Sequence, residues 1–142
     1  MDNNDLEKLE FLIGDWDLEY HIPKSFMSEA RTDSGVGKFK KVLMDKYVQF
    51  DYTTKSGSVA KGIFAWDERI NAIRYWWFEN SGSFLSATCN FIDEFTLAMN
   101  WHDTLLVQTF KKESQDKVIL KMQYPSSNGG YELILEVILT RR

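Results

Sequence analysis

Cysteine occurs once, at Cys89, and histidine only twice, at His21 and His102. A lone cysteine excludes an intramolecular disulfide and fits a reducing compartment. Two histidines and one cysteine, far apart in sequence, lack the spacing of a zinc site, so no metal is expected. Basic residues never run beyond two in succession, and the net charge is −4. Nucleic-acid backbones and anionic membranes both demand a clustered basic face, so neither is an expected partner. No stretch approaches the ~20 apolar residues of a membrane helix. Met1 to Asp5 is polar and acidic, without the basic start and apolar run of a signal peptide. The expected location is the cytoplasm.

The chain is rich in large flat side chains: five Trp, six Tyr and ten Phe among 142 residues. That length suits a single domain, here residues 1–142, burying roughly 70% of its unfolded surface. In residues 4–13, Leu6, Leu9 and Ile13 recur at helical spacing. Asn4 and Glu7 have the spacing of a capping box, and Gly14 is placed to end the helix. After Gly14 the period changes to two. Trp16, Leu18, Tyr20 and Ile22 alternate with Asp17, Glu19 and His21, as in a half-buried strand, and Pro23 ends it.

Residues 24–32 then read as a loop. Further strands are predicted over 33–42, 44–54, 58–66, 72–79, 83–90, 94–101, 104–112, 116–124 and 131–141. Short turns such as Lys55-Ser56-Gly57 and Asn80-Ser81-Gly82 favour antiparallel hairpins, and no second helix pattern supplies a βαβ crossover. An open meander of this length leaves two bare edges, and closure removes them. The expected fold is all-β: a closed antiparallel up-and-down barrel of about ten strands with a short N-terminal helix. In the last strand Leu133, Leu135, Val137, Leu139 and Arg141 alternate with Glu132, Ile134, Glu136, Ile138 and Thr140, an apolar inner wall. Gly35-Val36-Gly37 is not followed by a helix and marks a bend or bulge rather than a phosphate loop.

Gly14-Asp15-Trp16 at the start of the first strand, with Arg141 and Arg142 at the end of the last, resembles the calycins: lipocalins, fatty-acid-binding proteins and relatives. In that superfamily the Trp closes the barrel floor and an Arg of the last strand lies across its ring, a favourable cation–π pair. Gly62-Ile63-Phe64-Ala65-Trp66-Asp67 and Tyr75-Trp76-Trp77 are similar to a family of bacterial calycin-like domains of unknown function, which resemble nitrobindin-type haem domains. The resemblance implies a barrel and a binding role. Nitrobindin-like domains hold haem iron with a His near the C-terminus. Here the last histidine is His102, so no haem and no other cofactor is expected.

The expected function is binding of a small apolar or amphipathic molecule inside the barrel, driven by apolar burial. Trp16 and Arg141 are expected to close the floor, and Tyr20, Trp77, Met99, Trp101, Leu120, Tyr124 and Leu135 to line the interior. A one-residue slip in register would reverse these assignments. An inward Arg141 meeting a ligand carboxylate is an alternative role for that residue. Of Tyr75 to Phe78, one pair should face inward and the other outward, where it offers a homodimer contact.

No catalytic residue is assigned. His102-Asp103 reads as a polar hairpin turn, His21 lies on the wet face of its strand, and Cys89 reads as a small buried hydrophobe. Two rival readings remain. One is an isomerase or cyclase on the same barrel, betrayed by an inward charged group with a shifted pKa. The other is a filled-core interaction module, betrayed by a solid interior.

Overall fold

A computed structural model of the chain describes residues 4–26 and 28–142. Met1 to Asn3, and Met27 within the expected 24–32 loop, lie outside the described residues. The period-two segments become ten strands: β1 (Gly14–Ile22), β2 (Arg31–Val42), β3 (Tyr47–Thr54), β4 (Val59–Asp67), β5 (Ala72–Glu79), β6 (Phe84–Asp93), β7 (Thr96–Trp101), β8 (Val107–Ser114), β9 (Lys117–Pro125) and β10 (Tyr131–Arg141). Each pairs antiparallel with its neighbours in sequence, and β1 pairs with β10, so the sheet closes into a barrel. The closing seam sets Trp16 opposite Arg141, Leu18 opposite Leu139 and Tyr20 opposite Val137.

The N-terminal helix is a 3₁₀ helix, Asp5–Leu12, which buries Leu6, Leu9 and Leu12 against the ends of β3, β4 and β5. Asn4 caps it through a Leu6 N–H bond to its side chain at 2.8 Å. The expected glycine cap is corrected. Ile13 ends the helix, and Gly14 opens β1 at φ +131°. Its lack of a side chain serves the floor, because a Cβ there would lie 2.6 Å from Arg141 Nη1.

Three further expectations are corrected. β3 starts at Tyr47, not 44, because Leu43, Met44 and Asp45 form a left-handed turn with φ of 51°, 59° and 63°. Gly35 and Gly37 do not bulge, for β2 keeps unbroken register with both neighbours. Instead, the Phe50 ring fills the place a side chain at Gly37 would take, 2.7 Å from where its Cβ would be. The bulge lies in β10, between Leu133 and Leu135, so the even alternation expected of that strand breaks there.

The floor half of the interior is solid. Phe39 stacks on Phe50 with ring centroids 4.0 Å apart, and Phe64, Ile73, Leu97, Met99, Phe110 and Val118 are essentially inaccessible to solvent.

Candidate ligand-binding cavity

The mouth half is hollow. A cavity of about 480 Å³ lies inside the barrel, within the 300–1,000 Å³ span of small-molecule sites. Its lower wall is aliphatic and aromatic, with Leu18, Phe50, Phe110, Leu120, Val137 and Leu139. Midway, Tyr20, Tyr52, Tyr75, Trp77 and Trp101 contribute rings. Polar groups gather toward the open end: Ser25, Ser28, Arg31, Asp33, Thr54, Ser56, Ser58 and Glu79. A second depression crosses the outer wall past Val36, Asp51, Val59, Lys61 and Phe78. It is larger, about 640 Å³, but more open to solvent than the interior, which is the more enclosed site.

The aromatic wall is held by specific contacts. Trp77 Nε1 donates to Tyr52 Oη at 2.9 Å, and Tyr52 tilts against Phe50 with centroids 4.9 Å apart. Tyr75 lies over Gly62, directly across the β4–β5 ladder from Phe64, and meets Trp101 edge-on at 5.8 Å. A side chain at residue 62 would collide with the Tyr75 hydroxyl. Burial raises the pKa of Tyr20, Tyr52 and Tyr75, so all three phenols are neutral at pH 7 and serve as hydrogen-bonding groups. Trp101 Nε1 is the single buried side-chain N or O without a hydrogen-bond partner among the described residues.

Under the cavity, Trp16 is fully buried and its Nε1 donates to the Leu12 carbonyl at 2.7 Å. The Arg141 guanidinium lies over the Trp16 ring, 4.3 Å from its centroid. It donates through Nη1 to the Ile13 carbonyl at 2.8 Å and through Nη2 to the Phe11 carbonyl at 2.9 Å. One cation thus binds helix end, first strand and last strand.

Of the residues expected around the ligand, Tyr20, Trp77, Trp101, Leu120 and Leu135 line the cavity. Trp16 and Arg141 form the floor beneath it; Arg141 does not line the cavity and donates to backbone carbonyls instead. Met99 sits in the solid lower core. Tyr124 does not line the cavity. It lies past the last β8–β9 pair, Val107 with Gln123, and packs on Phe26 at 5.0 Å. Sequence reasoning missed Phe50, Tyr52, Tyr75, Asp33 and Glu79. Parity along β5 from Trp77 points to Tyr75 and Glu79, and parity along β2 from Gly37 points to Asp33.

Neither histidine lines the cavity. His21 sits 3.1 Å from Glu19 on the outer face of β1. His102 bonds the hydroxyls of Ser86 and Thr88, at 2.9 and 2.6 Å. The wall therefore does not fit a histidine-ligated haem. Cys89 is buried, and burial pushes its thiol pKa up, away from nucleophilic use. Outside the barrel, Trp76 and Phe78 face solvent at 37% and 49% exposure, and Phe84, at 71%, lies 6.4 Å from Phe78.

No family model matches the chain, and no curated protein matches it. Among solved structures it is similar to the protein described as "Crystal Structure of Rv2717c from M. tuberculosis", with a TM-score of 0.67 across 96% of each chain and 13% identity. At that identity the likeness is one of fold.

Proposed function

We propose that this chain is a calycin-like carrier or sensor that binds one small apolar or amphipathic molecule inside its barrel, within the cytoplasm. The observation that carries this reading is the hollow mouth half, about 480 Å³ walled by apolar and aromatic side chains above a sealed floor. Small barrels are commonly filled by their own side chains, so a void of this size is a feature of the sequence. Apolar burial supplies the affinity, and the Tyr20, Tyr52 and Tyr75 hydroxyls and the Trp101 N–H supply orientation. The void counts against a filled-core module. Neutral phenols and a buried thiol supply no acid or base poised near pH 7, and the Ser56 hydroxyl holds the Asp33 carboxyl below the usual carboxylate range, away from neutrality, which counts against an isomerase or cyclase.

The test is titration with the neutral dye N-phenyl-1-naphthylamine. The wild type should bind one dye per chain with enhanced fluorescence, and Leu135→Trp, which fills the cavity, should abolish it. No binding by the wild type, or equal binding by the filled variant, overturns the reading. Native mass spectrometry of the protein as purified, with a matched denatured spectrum, then identifies any occupant carried from the cell. The exposed strip of Trp76, Phe78 and Phe84 supports a homodimer as a second proposal, and a light-scattering mass of one chain, 16.6 kDa, refutes it.

A further inference from the structure

The charges at the cavity mouth do not balance. Of the residues lining the cavity, three are charged: Arg31, Asp33 and Glu79. Arg31 is exposed, whereas Asp33 and Glu79 are half-buried. The Asp33 carboxylate accepts the Ser34 N–H at 2.8 Å and the Ser56 hydroxyl. The Glu79 carboxylate accepts the Ser81 hydroxyl at 2.7 Å. These donors are neutral. No Lys, Arg or His forms an ion pair with either carboxylate among the described residues, although eight ion pairs involving other acidic residues occur there.

Both carboxylates act on one corner of the cavity. The Tyr20 hydroxyl is made harder to ionise chiefly by burial, then by Tyr52, Asp33 and Glu79. Asp33 lies opposite Tyr20 across the β1–β2 ladder. Glu79 shares the inner face of β5 with Trp77 and lies opposite Ala60, itself opposite Tyr52. Both carboxylates therefore share the mouth end of the cavity with Tyr20, Tyr52 and Trp77. Ring faces are negative, so rings and carboxylates favour the same sign of guest.

We propose that the natural occupant is a cation, an ammonium-bearing molecule with an apolar body. Its head group lies beside Asp33 and Glu79 against the faces of Tyr20, Tyr52 and Trp77, and its body fills the neutral cavity below. A fatty acid is disfavoured on the same geometry. Its carboxylate would meet a rim where two carboxylates outweigh the single exposed Arg31, and Arg141 in the floor does not line the cavity. The inference rests on the interior-binding reading above and adds the sign of the guest.

The experiment compares three probes sharing one chain: octyltrimethylammonium, octan-1-ol and octanoate, each titrated by calorimetry at low salt into the full chain. The ammonium should bind at least tenfold tighter than octanoate and several-fold tighter than octanol, with an advantage that shrinks as salt is added. In Asp33→Asn/Glu79→Gln that advantage should fall at least several-fold, to what the rings alone supply, while octanol binds as before, and unchanged octanol binding also certifies an intact cavity. An ammonium that binds no tighter than octanol, or an advantage undiminished in the double variant, overturns the cationic guest and leaves interior binding standing. If none of the three binds, interior binding itself fails, and the cationic guest with it.

Discussion

Arg141 joins segments more than a hundred residues apart through a ring face and the Ile13 and Phe11 backbone carbonyls, and it also donates to the Gln115 carbonyl at 3.2 Å. Cation–π contacts and hydrogen bonds from a charged donor each contribute about 1–2 kcal/mol when half-buried. Arg141→Met should therefore cost roughly 2–4 kcal/mol in urea unfolding while leaving the cavity residues in place. Asp67 is a second such residue. Hydrogen bonds from Arg69 and then Arg74 hold its pKa at about 2, against an ordinary 3.8. A lowered carboxyl pKa stabilises the fold above the unfolded value, and that contribution drains away as pH falls through the folded one. Wild-type stability should thus decline between about pH 4 and pH 2. Asp67→Asn should be weaker at neutral pH and flatter across that acid window, as read by circular dichroism. The Trp16–Arg141 pair was legible through the resemblance of Gly14-Asp15-Trp16 and Arg141 to the calycin pattern, and it suits a closed meander whose two ends meet. Asp67 was not, because its partners depend on how the 67–71 turn folds back.

Among elements, the turn after β2 shows best what alternation leaves unsaid. Leu43, Met44 and Asp45 all adopt left-handed conformations, which cost non-glycine residues about 1–2 kcal/mol each. Nothing in Leu-Met-Asp announces this, and the apolar pair reads as the start of a strand. Met44 is 92% exposed, so Met44→Gly relieves strain without loss of packing and should raise stability by up to about 1 kcal/mol in thermal unfolding. The helix was legible from its apolar spacing, but its 3₁₀ winding was not, because periodicity over eight residues separates the two helices poorly. Its role as a plug is tested by Leu9→Ala, which empties a fully buried site and should cost about 2–5 kcal/mol. The β10 bulge brings both Ile134 and Leu135 to the cavity, a local slip that strict alternation does not reveal.

For the molecule as a whole, strand number and order followed from turns and alternation, whereas inward parity and hollowness did not. Whether ten strands leave a void depends on summed side-chain volumes against barrel girth, and here on where glycines admit rings. Gly62 is the clearest instance, since it lets Tyr75 lie flat against β4. Gly62→Ala should push that ring inward, lower stability by roughly 1–3 kcal/mol and weaken dye binding. Gly130→Ala, in an open turn, should change neither.

The seam between β1 and β10 also governs how the chain reaches this state. Across this seam Trp16 pairs with Arg141, so the last ladder cannot form until β10 has been made. Joining such distant segments makes for slow folding, and during synthesis the edge of β1 waits unpaired while the other strands assemble. The same closure that leaves the finished barrel without an exposed edge makes its unfinished form the stage most in need of protection from aggregation.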